Sequence, residues 1–363
     1  MLQKNNKNVS HYIFGKNSVK QLNSILETKK TTKDSKVIFF IDHFFKNKFD
    51  FLDESIDFSN DIIIFHDTSD EPSTSYIDGL ISKIKIETQL KTICAVVGVG
   101  GGATMDVAKA VSNLLGNPGS ASDYQGWDLV KNPGVYKIGI PTISGTGSES
   151  TRTCVMTNTE NGLKLGMNSD FTVFDQIILD YELTKTVPRD QFFYTGMDSY
   201  IHCIESLNGY HRNSIGDAYS IQTVKLCEEI FLSDDMMKDE CREKLMVASY
   251  LGGCAIATSY VGLIHPFSAG LSVVLGIHHC EANCIVLNAM EDFYPKEYSI
   301  FQEMVSLQKV NIQKNITRNL TSEEFNSLYS STVIHEKPLK NALGDDYLKI
   351  LNKDRVKEIF SRM

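Results

Sequence analysis

Continuous apolar runs mark the first half of the chain. The segment SKVIFFID, which ends at Asp42, and the run at 61–65 are short and apolar, a pattern typical of strands buried on both faces of a parallel sheet. A third run, ICAVV at 93–97, leads into the glycine-rich turn 98–102 and then into the helix-compatible segment ATMDVAKAVSNLL. This order of strand, turn and helix predicts an α/β unit with a mostly parallel sheet.

The pattern changes about halfway along the chain. Further strands are predicted at KIGI (137–140) and at QIILD, which ends at Asp180. From Pro188 onward, helix-compatible stretches rich in Leu, Met, Ala, Glu and Lys follow one another. We therefore place a boundary near 183–188 and expect two domains, as the length of 363 residues also suggests. They are an α/β domain with a Rossmann-like sheet at 1–185 and an all-α domain at 186–363.

Composition narrows the class of protein. The net charge is -9 and there is no long Lys/Arg run, so we expect neither a nucleic-acid partner nor a membrane-binding surface. No apolar run approaches the roughly 20 residues that span a bilayer, and the first residues lack the apolar core of a signal peptide. The eight cysteines are scattered without a CxxC pair, which predicts that most are buried. A cytoplasmic protein is expected.

The glycine turn 98–102 has the properties that a dinucleotide phosphate site requires. Backbone N–H groups must point at the pyrophosphate, the main chain must approach it closely, and a helix N-terminus should face it. The formal pattern is Gly98-x-Gly100-x-x-Ala103, although it does not lie in the first βα turn. A tight turn without a ligand is the alternative interpretation of this segment.

A second loop, rich in hydroxyl groups and glycines, follows the next predicted strand. Its side chains Thr142, Ser144 and Thr146 could add donors to the same phosphates. Asp42, at the end of the first strand, is placed to accept from ribose hydroxyls and would repel a 2′-phosphate, which favours NAD over NADP. The alternative for Asp42 is a strand-end cap.

Four potential metal ligands lie in apolar segments of the second half. Asp198 and His202 are four residues apart in TGMDSYIHCIE, so on a helix both side chains project from one face. His265 and His279 lie on either side of the apolar stretch 266–278. A single histidine on an apolar helix is more often a hydrogen-bonded core residue. The set of four suits one Fe²⁺ or Zn²⁺ ion, and the sequence does not choose between these metals.

Several motifs together resemble the iron-containing (group III) alcohol dehydrogenase family. They are GVGGGATMDVAKA, PTISGTGSES and GMDSYIH, followed by His265 and His279, and the resemblance extends from about Phe14 to Asn283. It implies a two-domain plan like that of dehydroquinate synthase, a divalent metal, NAD and a homodimer. Stretches such as DYQGWDLVKNP and KLGMNSDFTVFDQIILD are most similar to members that oxidise the C8 hydroxyl of the sugar acid 3-deoxy-D-manno-octulosonate to an aldehyde, for 8-amination in lipopolysaccharide biosynthesis.

The resemblance also assigns roles to individual residues. It places the metal ligands at Asp198, His202, His265 and His279, and not at the neighbouring His278. It implies that Asp106 and Lys109 open the phosphate-binding helix. The full set that we expect to contact the nucleotide is Asp42, Gly100, Gly101, Gly102, Thr104, Asp106, Thr142, Ser144, Thr146 and Lys164.

Two positions depart from the pattern of the family. Many members carry a second histidine four residues after the third ligand, where this chain has Ala269, and the glycine after the last ligand is replaced by Cys280. Loss of that histidine puts the usual proton relay in doubt, so short-chain alcohols are less expected as substrates. Arg152 is a candidate to hold the carboxylate of a sugar acid, and a surface ion pair is the alternative.

Three classes of function follow from these residues. The first is metal-dependent oxidation of an alcohol, with 3-deoxy-D-manno-octulosonate, another polyol or a sugar alcohol as substrate and NAD or oxygen as acceptor. The second is a lyase like dehydroquinate synthase, which also uses NAD and a metal, but GGGxxxD and SGTGSE are typical of the dehydrogenases. The third, an inactive binding protein, is disfavoured by the four intact ligands.

Overall fold

The computed structural model describes residues 6–69, 71–88, 92–158 and 160–363. Its contacts divide the chain into two units. The first unit contains the described residues up to Ile143 together with Ser148–Thr186, and the second contains Ser144–Gly147 together with Val187–Met363. Four residues of the hydroxyl-rich loop therefore pack with the second unit.

A parallel sheet forms the centre of the first unit. Its strands are β1 (His11–Phe14), β2 (Lys36–Asp42), β3 (Ile62–His66), β4 (Ile93–Gly100), β6 (Lys137–Pro141) and β9 (Gln176–Leu179). Within the described residues the order is β1-β9-β6-β4-β2-β3, and every neighbouring pair is parallel. The predicted parallel α/β fold is confirmed, and β1 is an additional edge strand.

Strands β2 and β4 are neighbouring interior strands of this sheet and contribute much of its core. Phe39, Ile41, Val97 and Val99 are fully buried in one apolar cluster. Both faces of these strands are covered, which is why their sequences are apolar throughout and do not alternate. Along the chain, three helices lie between these strands: α1 (Leu22–Glu27), α2 (Thr74–Glu87) and α3 (Gly102–Gly116).

Helix α3 packs closely against β4. A Cβ atom at Gly98 would lie 2.8 Å from Cβ of Ala108, and one at Gly100 would lie 2.7 Å from Cβ of Thr104. Real carbon atoms do not approach so closely, so both positions require glycine for strand-to-helix packing. The first two glycines of the turn therefore have a packing role.

A small second sheet was not predicted from the sequence. It consists of β5 (Gly126–Trp127), β7 (Thr153–Thr157) and β8 (Lys164–Asn168), in the order β5-β8-β7. Strands β7 and β8 are antiparallel, with Cys154 opposite Met167. Strand β7 alternates between half-buried and buried residues, and only Met167 of β8 is buried, so these strands lack the continuous buried runs of the main sheet.

The second unit is helical in its described residues, as predicted. Helix α4 (Arg189–Asn208) is buried on all sides from Thr195 to Ser206. It packs against α5, α6 and α8. The other helices are α5 (Ser214–Phe231), α6 (Asp239–Ser259), α7 (Ile264–Leu275), α8 (His279–Leu287), α9 (Pro295–Gln308), α10 (Ser322–Val333), α11 (Glu336–Leu343), α12 (Tyr347–Ile350) and α13 (Lys353–Ser361).

In the described part of the chain, no single helix is both long and apolar enough to cross a bilayer. Helices α6 and α7 satisfy that length and composition only when they are taken together, and they are bent by 106° at the break between them.

The cysteines are mostly buried, as their scattered positions suggested. Seven of the eight are buried and Cys94 is half-buried. Burial raises the pKa of Cys203 to about 12, and it raises the pKa of Cys154 further. Such thiols remain protonated at neutral pH and pack as small apolar side chains.

Replacement of Gly98 by alanine tests the close contact between α3 and β4. We expect Gly98→Ala to lower the free energy of unfolding by about 1–3 kcal/mol, because the new methyl group meets Cβ of Ala108 and forces the helix to shift. The exposed Gly79 of α2 is the matched control, since no atom lies within 4 Å of a Cβ built there. Gly79→Ala should raise the same free energy by about 0.5–1 kcal/mol.

Urea unfolding of wild type and both variants measures these changes. If Gly98→Ala unfolded at the wild-type urea concentration, close packing of α3 on β4 would be wrong.

Candidate functional site

Three helices of the second unit bring the four predicted ligands together. Asp198 and His202 lie one turn apart on α4, and His265 is the second residue of α7. Gly276 ends α7 in the left-handed conformation (φ 67°, ψ 20°), a turn that glycine adopts without strain. The chain then reverses, and His279 becomes the first residue of α8.

The ligand atoms converge on one oxygen of Asp198. The Nε2 atoms of His202, His265 and His279 lie 3.5, 3.4 and 3.7 Å from Asp198 Oδ1. Ligand atoms of Asp198, His202 and His265 all lie within 4.8 Å of one another. Donors that keep roughly 2.0–2.2 Å from a tetrahedral ion are about 3.4 Å apart. Asp198, His202 and His265 could therefore hold one divalent cation. His279 falls outside this 4.8 Å group, although its Nε2 lies 3.7 Å from Asp198 Oδ1.

Exposure increases across this cluster. The side chains of Asp198 and His202 are 1% and 5% exposed, His265 is 12% exposed and His279 is 27% exposed. The cluster is closed on the side of α4 and open on the side of His279. The adjacent His278 is exposed, whereas Ala269, in the position of the second histidine of the family, is half-buried.

Glu205 supports His265, and sequence reasoning missed it. The Nδ1 atom of His265 donates to one carboxylate oxygen of Glu205, and the Ile264 backbone N–H donates to the other. Because Nδ1 is held by Glu205, Nε2 is the nitrogen that would face a metal, which is the usual arrangement of a metal-binding histidine. Glu205 is seven residues after Asp198 on α4, so helical spacing was the signal that could have revealed it.

Asn283 and Cys280 contact the carboxylate of Asp198. The Asn283 amide donates to Asp198 Oδ1 at 2.7 Å, and its Nδ2 lies 3.4 Å from His265 Nε2 and 3.3 Å from His279 Nε2. The Cys280 thiol donates to Asp198 Oδ2 at 3.7 Å. Asn283 was also missed, although it follows His279 by four residues on the same helix.

Burial and neighbouring charges shift the pKa values in the cluster. Burial raises the pKa of Asp198, but the surrounding imidazoles outweigh it and hold this pKa well below its usual range. Burial lowers the pKa of His202 to about 4. Burial also lowers the pKa of His265, but the carboxylates of Glu205 and Asp198 prevail and raise it to about 9. A charged Asp198 and a neutral His202 are the forms that bind a metal, and His265 must release its proton when one binds.

The glycine turn of the first unit lies at the carboxyl end of β4. Gly101 precedes α3, and no side chain caps this helix. A Cβ built at Gly101 has only Ile143 nearby, at 3.5 Å. Gly102 is the first residue of α3, and Thr142 donates from its backbone N–H to Gly100 O at 3.0 Å. The predicted residues Gly100, Gly101, Gly102 and Thr142 therefore lie together at neighbouring strand ends.

Two other predicted nucleotide residues already have partners. Asp42 Oδ1 accepts from the Phe44 backbone N–H at 2.9 Å, which is the capping role considered as the alternative. Lys164 donates to Glu71 at 2.7 Å. Thr104, which lies against Gly100, is fully buried. Contact of these residues with a nucleotide remains a prediction.

The Ser144–Gly147 segment packs against helices of the second unit. The Gly145 backbone N–H donates to Ser249 Oγ at 2.9 Å, and Ser199 Oγ donates to the Gly145 carbonyl at 2.7 Å. A Cβ at Gly145, where φ is +153°, would lie 1.8 Å from Thr195 O. Ser144 is buried and Thr146 is half-buried. Gly145 is thus required for packing of this segment against α4.

Asp106 and Lys109 link α3 to the chain at 148–155. Asp106 accepts from Ser148 Oγ at 2.6 Å and from the Val155 backbone N–H at 2.8 Å. The fully buried Lys109 donates to Thr153 O at 2.8 Å and to both oxygens of Thr151 at 3.1 Å. Burial raises the pKa of Asp106 and lowers that of Lys109. These contacts give both residues a structural role within the first unit.

Arg152 is buried, with 5% of its side chain exposed. Its Nη2 pairs with Asp128 and, at 3.0 Å, with Asp170. The ion pair considered as the alternative is present: the guanidinium of Arg152 is buried, whereas the side chain of its partner Asp128 is 62% exposed. Two carboxylates of the same unit already balance its charge, which favours a structural role, and binding of a substrate carboxylate remains a prediction.

The matching family descriptions identify the class of protein. Residues 10–181 match the family described as iron-containing alcohol dehydrogenase, and residues 192–336 match its C-terminal family, Fe-containing alcohol dehydrogenase. These matches cover most of the chain. The chain belongs to the iron-containing alcohol dehydrogenase family.

Individual relatives carry different activities in their names. The chain is 34% identical over 220 residues to sulfoacetaldehyde reductase of Bilophila wadsworthia. The aligned region covers 58% of this chain and 56% of that protein. It is 30% identical over 231 residues to NAD-dependent methanol dehydrogenase of Bacillus methanolicus, covering 62% and 58%. The matches thus span little more than half the length of these two curated relatives.

Solved structures share the fold over nearly the whole chain. The 1,3-propanediol oxidoreductase structure has a TM-score of 0.83 at 18% identity and covers 98% of each chain. Sulfoacetaldehyde reductase from Bifidobacterium kashiwanohense, in complex with NAD+, has a TM-score of 0.81 at 23% identity and covers 99% of this chain and 98% of that one. At these identities the likeness establishes the two-domain fold.

The structural role of Lys109 can be tested by its removal. We expect Lys109→Met to lower the free energy of unfolding by about 1–3 kcal/mol, because the buried acceptor oxygens of Thr151 and Thr153 lose their hydrogen-bond donor. Lys83 of α2, whose side chain is 60% exposed, is the matched control. Lys83→Met should change the same quantity by no more than about 0.5 kcal/mol.

Guanidinium unfolding at constant pH provides both values. Equal effects of the two substitutions would contradict the structural role of Lys109.

Proposed function

We propose that the chain is a metal-dependent alcohol oxidoreductase that binds one Fe²⁺ or Zn²⁺ ion through Asp198, His202, His265 and His279. The observation that carries this proposal is the spacing of 3.4–3.7 Å between Asp198 Oδ1 and the three Nε2 atoms. Membership of the iron-containing alcohol dehydrogenase family supports it independently.

The charges of the site favour a divalent ion. The carboxylates of Asp198 and Glu205 are 1% and 0% exposed. Two buried negative charges are costly unless positive charge lies beside them. When the three imidazoles are neutral, one divalent cation balances both carboxylates. The donor set of nitrogen atoms and one carboxylate suits Fe²⁺ and Zn²⁺ and would be poor for Mg²⁺ or Ca²⁺, which prefer oxygen ligands.

The residues of the chain prepare this site for an alcohol. A divalent cation supplies Lewis-acid activation of the alcohol oxygen, and a nicotinamide ring supplies the acceptor for hydride. Glu205 keeps the Nε2 atom of His265 directed inward, and Asn283 fixes the carboxylate of Asp198. The side of α4 excludes water, so we infer that substrate approaches on the side of His279, which is the most exposed of the four ligands.

We propose NAD as the redox cofactor. The N-terminus of α3 has no capping side chain, and Gly101 leaves room in front of it, so its N–H groups are suited to a pyrophosphate. Asp42 lies beside Gly100, because a Cβ atom built at Gly100 would be 3.0 Å from the Cβ atom of Asp42. This acidic neighbour favours NAD over NADP. The name of the Bacillus methanolicus relative also includes NAD.

The proposed substrate is the sugar acid 3-deoxy-D-manno-octulosonate, oxidised at its C8 hydroxyl to the aldehyde for lipopolysaccharide biosynthesis. Support comes from the resemblance of 123–133 and 164–180 to enzymes with this activity, and from Ala269 in place of the second histidine. A second candidate is sulfoacetaldehyde, because a relative of that name is 34% identical. Both compounds are anions, so they must be compared directly.

The substrate proposal predicts a specific product. Metal-reconstituted protein incubated with 3-deoxy-D-manno-octulosonate and NAD should form an aldehyde at C8 with one NADH per aldehyde. Product aldehyde is measured by hydrazone formation and mass spectrometry, and NADH by absorbance. A parallel reaction under air without NAD tests oxygen as acceptor, and sulfoacetaldehyde with NADH tests the second candidate. Turnover of sulfoacetaldehyde without turnover of the sugar acid would refute the proposed substrate.

The metal proposal predicts a specific role for Glu205. Glu205→Gln should weaken binding of Zn²⁺ by about 10–100-fold, because outer partners of metal-bound histidines typically contribute that much. The exposed Glu323 on α10 provides the control, and Glu323→Gln should bind Zn²⁺ as wild type does. Competition with a chromophoric chelator gives the dissociation constants. Unchanged affinity in Glu205→Gln would exclude the proposed role of Glu205.

A further inference from the structure

The segment that joins α6 to α7 carries the ligand His265 and has an unusual backbone. Helix α6 ends at Ser259, and the next residue, Tyr260, has φ 62° and ψ 165°. This region of backbone conformation is occupied almost only by glycine, and other residues remain there only where surrounding contacts enforce it. Contacts around Tyr260 must therefore define the path of the chain toward His265.

The side chain of Asn341 provides these contacts. Asn341 lies on α11 and is fully buried. Its amide nitrogen lies 3.0 Å from Ser259 O, 3.0 Å from Val261 O and 3.5 Å from Tyr260 O. The two N–H bonds of the amide thus serve three successive carbonyls at the end of α6.

The same side chain also contacts the end of α4. Asn341 Oδ1 accepts from the His211 backbone N–H at 2.8 Å, and the Asn341 carbonyl accepts from the Tyr210 N–H at 2.7 Å. A Cβ at Gly209 would lie 2.5 Å from the Asn341 amide, so the C-terminus of α4 comes into direct contact with it. Asn341 therefore joins the helix of Asp198 and His202 to the segment that leads to His265.

We propose that Asn341 is a positioning residue of the metal centre, one that sets the separation between the ligands on α4 and His265. This inference rests on the proposed function, because it assumes that the four side chains bind a cation. Glu205 ties the same two elements together next to the ligands, through the Ile264 and His265 backbone N–H groups. Asn341 ties them at the other end of the connecting segment, and together the two contacts hold it at both ends.

The substitution Asn341→Asp removes the donors and keeps the shape. The carboxylate can still accept from the His211 N–H, but it repels the carbonyls of Ser259 and Val261. Leu339→Ala is the matched control, because Leu339 is a fully buried residue of the same helix and its truncation destabilises packing without removing these hydrogen bonds. Asn341→Ser, which retains one short donor, replaces Asn341→Asp if the latter does not fold.

The test measures binding of Co²⁺ to each folded variant by its visible absorption, which reports both affinity and ligand geometry. We expect Asn341→Asp to bind Co²⁺ about tenfold or more weakly, a loss at the lower end of that for outer partners of a metal site. Amide hydrogen exchange at Ile264 and His265 should also become faster in this variant. Leu339→Ala should lower the melting temperature and leave Co²⁺ affinity and these two exchange rates unchanged.

The possible failures are distinguishable. Wild-type affinity for Co²⁺ in Asn341→Asp overturns the positioning role while leaving the proposed function intact. An equal loss in Leu339→Ala also overturns it, since the effect would then come from general destabilisation. Absence of Co²⁺ binding by wild type overturns the proposed function itself, and this inference with it.

Discussion

The buried carboxylate of Asp198 constrains how the helices of the second unit pack. A charge with 1% exposure is tolerated only when hydrogen bonds and positive groups surround it. Its partners come from its own helix and from α7 and α8, so three helices must meet at one oxygen atom. Packing of apolar faces brings these helices together. The hydrogen bonds and positive groups that the buried carboxylate requires restrict how the helices can be arranged.

The polar contacts continue outward from that carboxylate in layers. Imidazoles and the Asn283 amide contact Asp198, Glu205 holds His265, and Asn341 holds the chain before His265. Each outer contact restricts a movement of the side chain or chain segment that the inner contact alone would still allow. The least exposed ligands are those on α4, whereas His279 follows the turn at Gly276 and is 27% exposed. Such an arrangement keeps three ligands in place while leaving one side accessible to a reactant.

The sequence predicted elements that have a strong local signal. Strands β2 and β4 are recognisable because both faces are buried and the apolar run is unbroken, and α3 follows from the glycine turn. Strand β1 was missed because three of its four residues are exposed at the edge of the sheet. The β7–β8 pair was missed because half-buried positions interrupt its apolar residues.

Prediction of the candidate site followed the same rule. Asp198 and His202 share one helix face, so their spacing was visible, whereas Asn341 is an ordinary amide 76 residues beyond His265. Its importance arises only when folding brings α11 beside the end of α6. Arg152 was expected near the surface or a substrate because no sequence signal showed that Asp128 and Asp170 would converge on it.

The glycines show why a motif alone does not identify a binding surface. Gly98 and Gly100 allow α3 to approach β4, and Gly145 allows its loop to approach α4. Each would be required even if no nucleotide were ever bound. Gly101 is different, because a side chain there would meet only Ile143 at 3.5 Å, so packing does not explain its identity. This position is therefore the one that fits the proposed approach of a phosphate to the start of α3, where no side chain caps the helix. The case for a bound phosphate therefore depends on this single position more than on the motif that contains it.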